Sequence, residues 1–412
     1  MALTGLAEGP PLLAPAPLAS RARELVRALA DAAGTAELAQ LDGAALLGEH
    51  AAAFGYFRRG FVSPGGTCRL LRAADRWIAV NLARPDDLAL LPAWLGEGET
   101  RDPWAFVEMR VACRPAEEAV ARARLLGLPA AVAIEPEPVA PPWLRSTALG
   151  SAVAPRADSE VPLVVDLSSL WAGPLCGHLL QLAGARVLKV ESTRRPDGAR
   201  AGAPVFFDLL NAGKQSVALD FGSEEGRATL GRLLERADIV IEASRPRALA
   251  QLGIDAETIV ARRAGITWLS LTGYGRREPG AHWVAFGDDA AVAAGLAVAT
   301  GSRDAPLFCG DALADPLSGV HAALVAFETW RAGGGRLLDV SLRDVVAHVL
   351  GLPMPEERAT VSHTAAGWEV AVADRRTVVA PPRARVPAAR ARELGADTRA
   401  VLAEIDPARE RR

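Results

Sequence analysis

The stretch VVDLSSLWAGPLCGHLLQLAGARVLKVES, residues 164–192, decides the fold of this chain. An apolar run at 161–167 precedes an amphipathic segment at 175–182, and a second apolar run follows at 186–190. Continuous apolar strands joined by a helix indicate a parallel β-α-β unit whose sheet is covered on both faces. The intervening turn, SSLWAGP at 168–174, lacks the G-x-G-x-x-G sequence of dinucleotide-binding proteins.

The alternation of strands and helices continues as far as residue 341. Further strands are predicted at 216–219, 238–243, 266–272 and 336–341, and further helices at 224–236, 258–263 and 319–331. We therefore predict an α/β fold with a Rossmann-like parallel sheet as its large domain, residues 161–350. Ligands of such sheets bind beyond the carboxyl ends of the strands.

The remaining residues predict a second, smaller α+β domain. Helices are predicted at 20–33 and 115–126, paired strands at 67–82, a hairpin at 368–379 and a last helix at 398–404. We expect a small domain at 1–134 with a Pro-rich lead, a linker at 135–160, and a C-terminal segment at 351–412. That last segment should pack on the large domain or on a partner chain.

The overall composition argues against several classes of protein. A net charge of −3 gives no case for nucleic-acid binding. The four cysteines are scattered without C-x-x-C spacing, which favours a reducing cytoplasm, and the six histidines show no metal-ligand spacing. No apolar run approaches the roughly 20 residues needed to span a membrane. We expect a cytoplasmic protein without a metal or a tightly bound cofactor.

Only two of the 46 basic residues are lysines, Lys189 and Lys214. Lys189 ends a predicted strand and Lys214 directly precedes another, and strand ends are where a polyphosphate ligand would bind. Two retained lysines in an arginine-rich chain suggest positions that arginine cannot fill, although chance and a solvated surface explain them as well.

Asp315 lies where a long apolar helix begins, followed by Pro316. Asp at the N-cap with Pro at the first helical position is an ordinary helix start, so a structural cap is the simplest interpretation. The same geometry would suit a functional carboxylate. The helix N-terminus would lower the pKa of Asp315 and keep it ionised, and Gly319 would let a bulky ligand approach the backbone.

Taken together, residues 161–350 resemble the family III CoA-transferases, the family of formyl-CoA:oxalate and carnitine CoA-transferases. The matching segments follow the family order: residues 164–192, LLNAGKQSVALDF (209–221), RPRALAQLGID (245–255), LSLTGYG (269–275) and ADPLSGVHAALVAFETW (314–330). The resemblance places the family's nucleophilic aspartate on Asp315. Asp311 is a near neighbour, but its spacing to Gly319 does not fit.

The resemblance also implies which residues approach coenzyme A. They are Leu170, Trp171 and Ala172 in the first β-α turn, Lys189, and the segment holding Leu210, Asn211 and Lys214. Family members often carry Asn-Phe where this chain has Ala243 and Ser244. The resemblance therefore does not tell which residues of this chain contact the adenine and the phosphates.

The order of the domains differs from the family pattern. Family members place the small domain after the helix that matches 319–331, whereas here residues 67–134 resemble it, so the chain looks permuted. Family members form interlocked dimers, which implies a homodimer here.

The implied activity is CoA transfer between carboxylic acids through a covalent aspartyl intermediate on Asp315, with acyl-CoA and free acids as substrates. Two alternatives stay open. One is a non-catalytic CoA-ester-binding protein. The other is a CoA-ester racemase, whose Gly-His-Asp segment would fall on residues 286–288, where the histidine is missing.

Overall fold

The computed structural model describes residues 1–98, 101–354 and 359–405. The strands are β1 Cys68–Arg72, β2 Trp77–Asn81, β3 Ala130–Val132, β4 Leu144–Ala148, β5 Leu163–Asp166, β6 Arg186–Ser192, β7 Gln215–Leu219, β8 Ile239–Glu242, β9 Thr267–Thr272, β10 Arg336–Ser341, β11 Ala359–Thr364, β12 Gly367–Val372 and β13 Arg375–Val378.

The α-helices are α1 Leu18–Ala33, α2 Ala36–Ala39, α3 Glu49–Phe54, α4 Pro85–Ala89, α5 Leu91–Leu95, α6 Pro103–Ala112, α7 Ala116–Leu125, α8 Ala172–Leu182, α9 Pro204–Asn211, α10 Glu224–Arg236, α11 Pro246–Gln251, α12 Ala256–Arg262, α13 Gly287–Ala293, α14 Leu296–Thr300, α15 Ala314–Arg331, α16 Leu342–Leu350 and α17 Thr398–Ile405. Short 3₁₀ turns lie at Ala45–Gly48, Gly198–Ala201 and Gly280–His282.

The central sheet has seven strands in the order β4-β10-β9-β8-β5-β6-β7. Its six strands from β5 to β10 run parallel, and β4 pairs antiparallel with β10 at one edge. The prediction of a Rossmann-like parallel sheet is confirmed. The chain leaves β5 toward β6 and later returns to β8 on its other side, which creates the switch point where such sheets bind ligands.

Alternate residues of the strands face two different helical layers, as the period of a β-strand requires. Val164 and Ile239 pack in one core with α1, α8 and α15, whereas Val165 and Val240 pack in a second core with α10 and α12. Both faces of the sheet are therefore buried, and this explains why the strands are continuously apolar.

The smaller sheet, β1-β2-β3, is antiparallel throughout. One of its faces forms a separate core with α5, α6 and α7, and the other packs against α13 and α14 of the large domain. Two features differ from the predicted boundaries. Helix α1 packs on α15 of the large domain, and the span expected as a linker contains β4.

The C-terminal segment begins with a third sheet, β11-β12-β13, where two strands of a hairpin were predicted. The chain then returns to the large domain. The backbone N–H of Ser216 donates to Asp397, and Val401 of α17 is buried in the second core. The part of this segment that follows the third sheet therefore packs on the large domain.

Two buried ion pairs tie together the first turn of the large domain. The Nζ of Lys214 lies 2.9 Å from Oδ2 of Asp166 and donates to the carbonyl of Pro174. The Nζ of Lys189 lies 2.9 Å from Oδ2 of Asp197 and donates to the carbonyl of Ser168. Burial opposes ionisation of Asp166, but the two lysines outweigh it and lower its pKa.

The Lys214–Asp166 pair should be essential for stability. Replacing Lys214 with Met leaves a buried carboxylate without its cation, which typically costs about 3–5 kcal/mol. We expect the urea midpoint of Lys214→Met to fall accordingly. The matched control is Arg194→Met, because Arg194 pairs with Asp220 at the surface and such pairs contribute at most about 1 kcal/mol. Equal losses in the two variants would contradict the assignment.

Candidate functional site

Asp315 lies in the first turn of α15, one residue after the helix begins. The prediction that it caps this helix is wrong, because Leu313 occupies the N-cap position. The Asp315 carboxylate instead accepts hydrogen bonds from the backbone N–H groups of Ala172 and Gly287. These residues are the first of α8 and of α13. The first residues of two helices thus donate backbone hydrogen bonds to a carboxylate in the first turn of a third helix.

The electrostatic balance at Asp315 is opposite to the predicted one. Burial raises the pKa of Asp315 to about 7, and the carboxylate of Asp311 adds to the rise. The N–H donors of Gly287 and Ala172 and the imidazole of His50 act in the other direction but do not outweigh burial. The carboxyl group is therefore poised between its two protonation states near neutral pH.

Two glycines let the backbone come close to this carboxylate. A Cβ on Gly287 would collide with the carbonyl of Ala312 and with Oδ2 of Asp315, so only glycine can place its N–H there. The role expected for Gly319 is wrong. A Cβ on Gly319 would lie 2.6 Å from the carbonyl oxygen of Ala172. The glycine is therefore needed for helix α8 to pack closely on α15, and not for a ligand to bind.

A histidine from the N-terminal region reaches the site. Nδ1 of His50 lies 2.7 Å from Oδ2 of Asp311, and the imidazole ring contacts the rings of Trp171 and Phe206, with centroids 4.9 and 4.6 Å away. Behind Asp311, Asp288 accepts a hydrogen bond from the N–H of Ala312 at 2.9 Å. Burial and the charge of Asp311 raise the pKa of Asp288 well above its ordinary value.

Local spacing argued against Asp311 and gave no signal for His50. His50 meets Asp311 only because the N-terminal region packs on the large domain. The available signal was the aromatic segment FGYFRRGF, residues 54–61, in a chain that is only 5% aromatic.

The residues predicted to contact coenzyme A divide into two sets. The first set lies in the turn before α8: Leu170 is exposed with a φ of 71°, Trp171 contacts His50, and the N–H of Ala172 donates to Asp315. The N–H of Leu170 donates to Asp197, the partner of Lys189, so the buried ion pair holds this turn in place.

The second set lies in the interior. Leu210 is buried in the first core, and the side-chain amide of Asn211 donates to the carbonyl of Phe207. The ammonium groups of Lys189 and Lys214 are buried and bound to carboxylates. The structure therefore does not support a direct contact of either lysine with a phosphate, because each charge is already neutralised inside the protein.

A cleft of about 840 Å³ lies between the small domain and the loops that follow β6, β8 and β9. Its walls carry five arginines: Arg84, Arg124, Arg195, Arg245 and Arg247. Burial lowers the pKa of Arg245, and the nearby charges of Arg247, Arg84 and Arg195 lower it further. Such mutual repulsion among cations is relieved by an anionic ligand. The volume is in the usual range for a ligand-binding pocket.

Asp315 is not among the described residues that line this cleft, and a single contact links the cleft wall to the residue before Gly287. The guanidinium of Arg84 lies 5.9 Å from the ring centre of Phe286, which directly precedes the N–H donor Gly287. Within residues 1–98, 101–354 and 359–405, no cluster of three or more acidic, histidine or cysteine side chains could hold a metal ion. No helix in the same ranges is long and apolar enough to cross a membrane.

Comparison with known proteins identifies relatives for part of the chain. It is 29% identical over 209 residues to succinyl-CoA–D-citramalate CoA-transferase of Chloroflexus aurantiacus, which covers 48% of this chain and 52% of the relative. It is 32% identical over 207 residues to succinate–glutarate CoA-transferase of Agrobacterium fabrum, with 45% and 51% covered. A crystal structure of a CAIB/BAIF family protein from Brucella suis is 28% identical, with 51% of this chain and 64% of that chain covered and a TM-score of 0.46.

The chain spans about half the length of the curated relatives that it matches. The model of CoA-transferase family III matches residues 162–383, more than half of the chain, and this range contains the whole parallel sheet from β5 to β10 together with Asp315. The chain belongs to CoA-transferase family III.

Proposed function

We propose that this protein is an acyl-CoA transferase that moves coenzyme A between carboxylic acids, with Asp315 as its nucleophile. The observation that carries the proposal is the setting of Asp315, a carboxyl group that accepts from the backbone N–H groups of Ala172 and Gly287 and lies so close to Gly287 that a Cβ there would collide with its Oδ2. Family membership supports the same chemistry.

The reaction proceeds in two exchanges at Asp315. A carboxylate oxygen attacks the thioester carbonyl carbon, the C–S bond breaks, and the thiolate of coenzyme A leaves with the electron pair. The thiolate then attacks Cγ of the mixed anhydride, and the donor acid leaves as a carboxylate. This gives an aspartyl-CoA thioester, which the acceptor acid converts back through the reverse steps. The N–H groups of Ala172 and Gly287 stabilise negative charge on the carboxyl oxygens during these steps.

The arginine-lined cleft is the proposed site for the phosphates of coenzyme A. Guanidinium groups bind phosphate through paired N–H donors. Arg195 and Arg245 come from loops at the carboxyl ends of parallel strands, and Arg247 lies in the first turn of α11. Arg84 and Arg124 come from the small domain, where Arg84 is already paired with Asp87. The small domain, which precedes the matched residues, would thus form one wall of the site. This supports the proposed permuted arrangement.

Two alternatives give different outcomes in one assay with an acyl-CoA and a free acid. A CoA-ester-binding protein would bind the ester and transfer nothing. A racemase would exchange the α-proton with solvent and need no acceptor acid. The homodimer stays a prediction, because the structure contains a single chain.

Replacing Asp315 with Asn should stop transfer without unfolding the protein. The amide oxygen of asparagine can still accept hydrogen bonds from Ala172 and Gly287, but the amide is not a nucleophile. We expect transfer to fall by at least about 10³-fold while acyl-CoA still binds. The control is Asp158→Asn, at an exposed position, which should keep full activity. A folded Asp315→Asn protein with normal turnover would refute the proposed role.

Transfer should also depend on pH through the ionisation of Asp315. The nucleophile is the carboxylate, and burial raises the pKa of Asp315 to about 7. Turnover should therefore be low at pH 5.5 and rise to a plateau above pH 8, with a midpoint near 7. A pH profile of kcat at saturating acyl-CoA tests this. A flat profile between pH 5.5 and 8 would show that Asp315 is ionised throughout.

The arginine cleft predicts a selective effect on binding. Arg245→Ala should raise KM for acyl-CoA about 10-fold or more, since it removes a cation facing the phosphates, with little change in kcat. Acyl-pantetheine lacks those phosphates, so its KM should not respond. Arg232→Ala on α10, whose guanidinium bonds Thr229, is the control. An equal change with both substrates would place the phosphates elsewhere.

A further inference from the structure

His50 is held rigidly beside the nucleophile. Four aromatic rings surround its imidazole, those of Phe54, Tyr56, Trp171 and Phe206, with ring centroids between 4.6 and 5.6 Å away. Trp171 directly precedes Ala172, whose N–H donates to Asp315. The charge of the imidazole also acts on the Asp315 carboxyl group. The ring therefore faces the place where the thioester must bind.

The hydrogen bond to Asp311 decides which nitrogen of His50 is free. An ionised carboxylate only accepts, so Nδ1 donates its proton to Asp311 and the basic lone pair is on Nε2. No hydrogen bond within the described ranges involves Nε2, and the side chain is 23% exposed. A base oriented by a carboxylate, with its second nitrogen open to the site, has the geometry of a proton-transfer group.

The segment that carries His50 is itself clamped to the large domain. Glu49, the preceding residue, receives two hydrogen bonds from the guanidinium of Arg385 in the C-terminal segment, at 2.5 and 2.9 Å, and a third from its backbone N–H at 3.2 Å. Arg385 also bonds His178 of α8, the helix whose first residue is Ala172. The N-terminal region, the C-terminal segment and the first β-α turn thus fix His50 relative to Asp315.

The chemistry of CoA transfer contains one atom that needs a proton. The acids react as carboxylates, whereas the sulfur of coenzyme A passes from thioester to thiolate and back. A thiol has a pKa of about 8.5, so near pH 7 a free thiolate would be protonated. The carboxylate of Asp311, bound to His50, would repel a thiolate rather than stabilise it.

We infer that His50 is a catalytic residue that gives a proton to the sulfur of coenzyme A and takes it back, with Asp311 as its positioning residue. The inference rests on the proposed function. When the C–S bond breaks, the proton moves from Nε2 of protonated His50 to the sulfur and leaves a neutral imidazole. In the return step Nε2 takes the thiol proton as the sulfur attacks Cγ of the anhydride, so atoms and charge balance.

The titratable groups that face His50 are few. Asp311 binds it directly, Asp315 lies on α15, Tyr56 contacts it from its own segment, and Asp288 lies behind Asp311. Because His50 and Asp311 both act on the pKa of Asp315, the midpoint of the Asp315 ionisation is fitted for each variant before its rate is compared with that of the wild type.

The test is exchange of labelled free coenzyme A into an unlabelled acyl-CoA, without any acceptor acid, between pH 6.5 and 9.5. The incoming thiol must lose its proton, so His50→Gln should exchange about 10²–10⁴-fold more slowly than the wild type near pH 7. The deficit should shrink toward pH 9.5, because the thiol then ionises without help. KM for acyl-CoA should stay within about twofold, and Asp311→Asn should show a smaller loss of the same kind.

Controls separate this role from a structural one. His363→Gln, on β11 and away from the site, should exchange like the wild type. Free imidazole should restore exchange in His50→Ala, because it can bind in the space that the missing ring leaves. A deficit that is the same at every pH, or a His50→Gln protein that exchanges within twofold of the wild type at pH 7, would overturn the inference.

The outcome also separates this inference from the proposed function. If only the role of His50 is wrong, Asp315→Asn abolishes exchange while His50→Gln does not. If the proposed function is wrong, either the wild type itself does not exchange, or Asp315→Asn exchanges as fast as the wild type.

Discussion

The site depends on one arrangement, the meeting of the Asp315 carboxylate with the backbone N–H groups of Ala172 and Gly287. Each donor is the first residue of a helix, so its N–H has no partner within that helix and is free to bind the carboxylate. The N–H of residue 287 can come this close to Asp315 only because residue 287 is glycine. Likewise, helix α8 can lie against α15 only because residue 319 is glycine. The parallel sheet holds the helices at this spacing.

Burial and hydrogen bonding compete at this carboxylate, and burial prevails. A helix start stabilises an anion by about 0.3–1 kcal/mol when exposed, whereas removing a carboxylate from water costs several kcal/mol. The result is a carboxyl group with a pKa of about 7 rather than below 4. The anion of such a group is less stable, relative to its protonated form, than the anion of an ordinary aspartate. It is therefore more reactive toward a thioester.

Sequence patterns predicted the sheet, because strands buried on both faces must be continuously apolar, and β5 to β10 all lie within about two residues of their predicted limits. The resemblance to family III CoA-transferases, and not a local pattern, selected Asp315 and the turn at residues 170–172, whose roles stay predictions. Sequence patterns misplaced the two lysines, since sequence does not reveal that Asp166 and Asp197 neutralise them inside the protein. They missed His50 because its role depends on contacts made 261 residues away, at Asp311. Local spacing carries no information about such contacts.

The central claim is a covalent bond between the substrate and Asp315, and trapping tests it most directly. The protein is incubated with an acyl-CoA, treated with hydroxylamine, digested and examined by mass spectrometry. We expect the peptide containing Asp315 to carry an aspartyl hydroxamate, and the modification to disappear when the acyl-CoA is omitted. An active preparation modified on another residue, or on none, would show that Asp315 does not form the covalent bond.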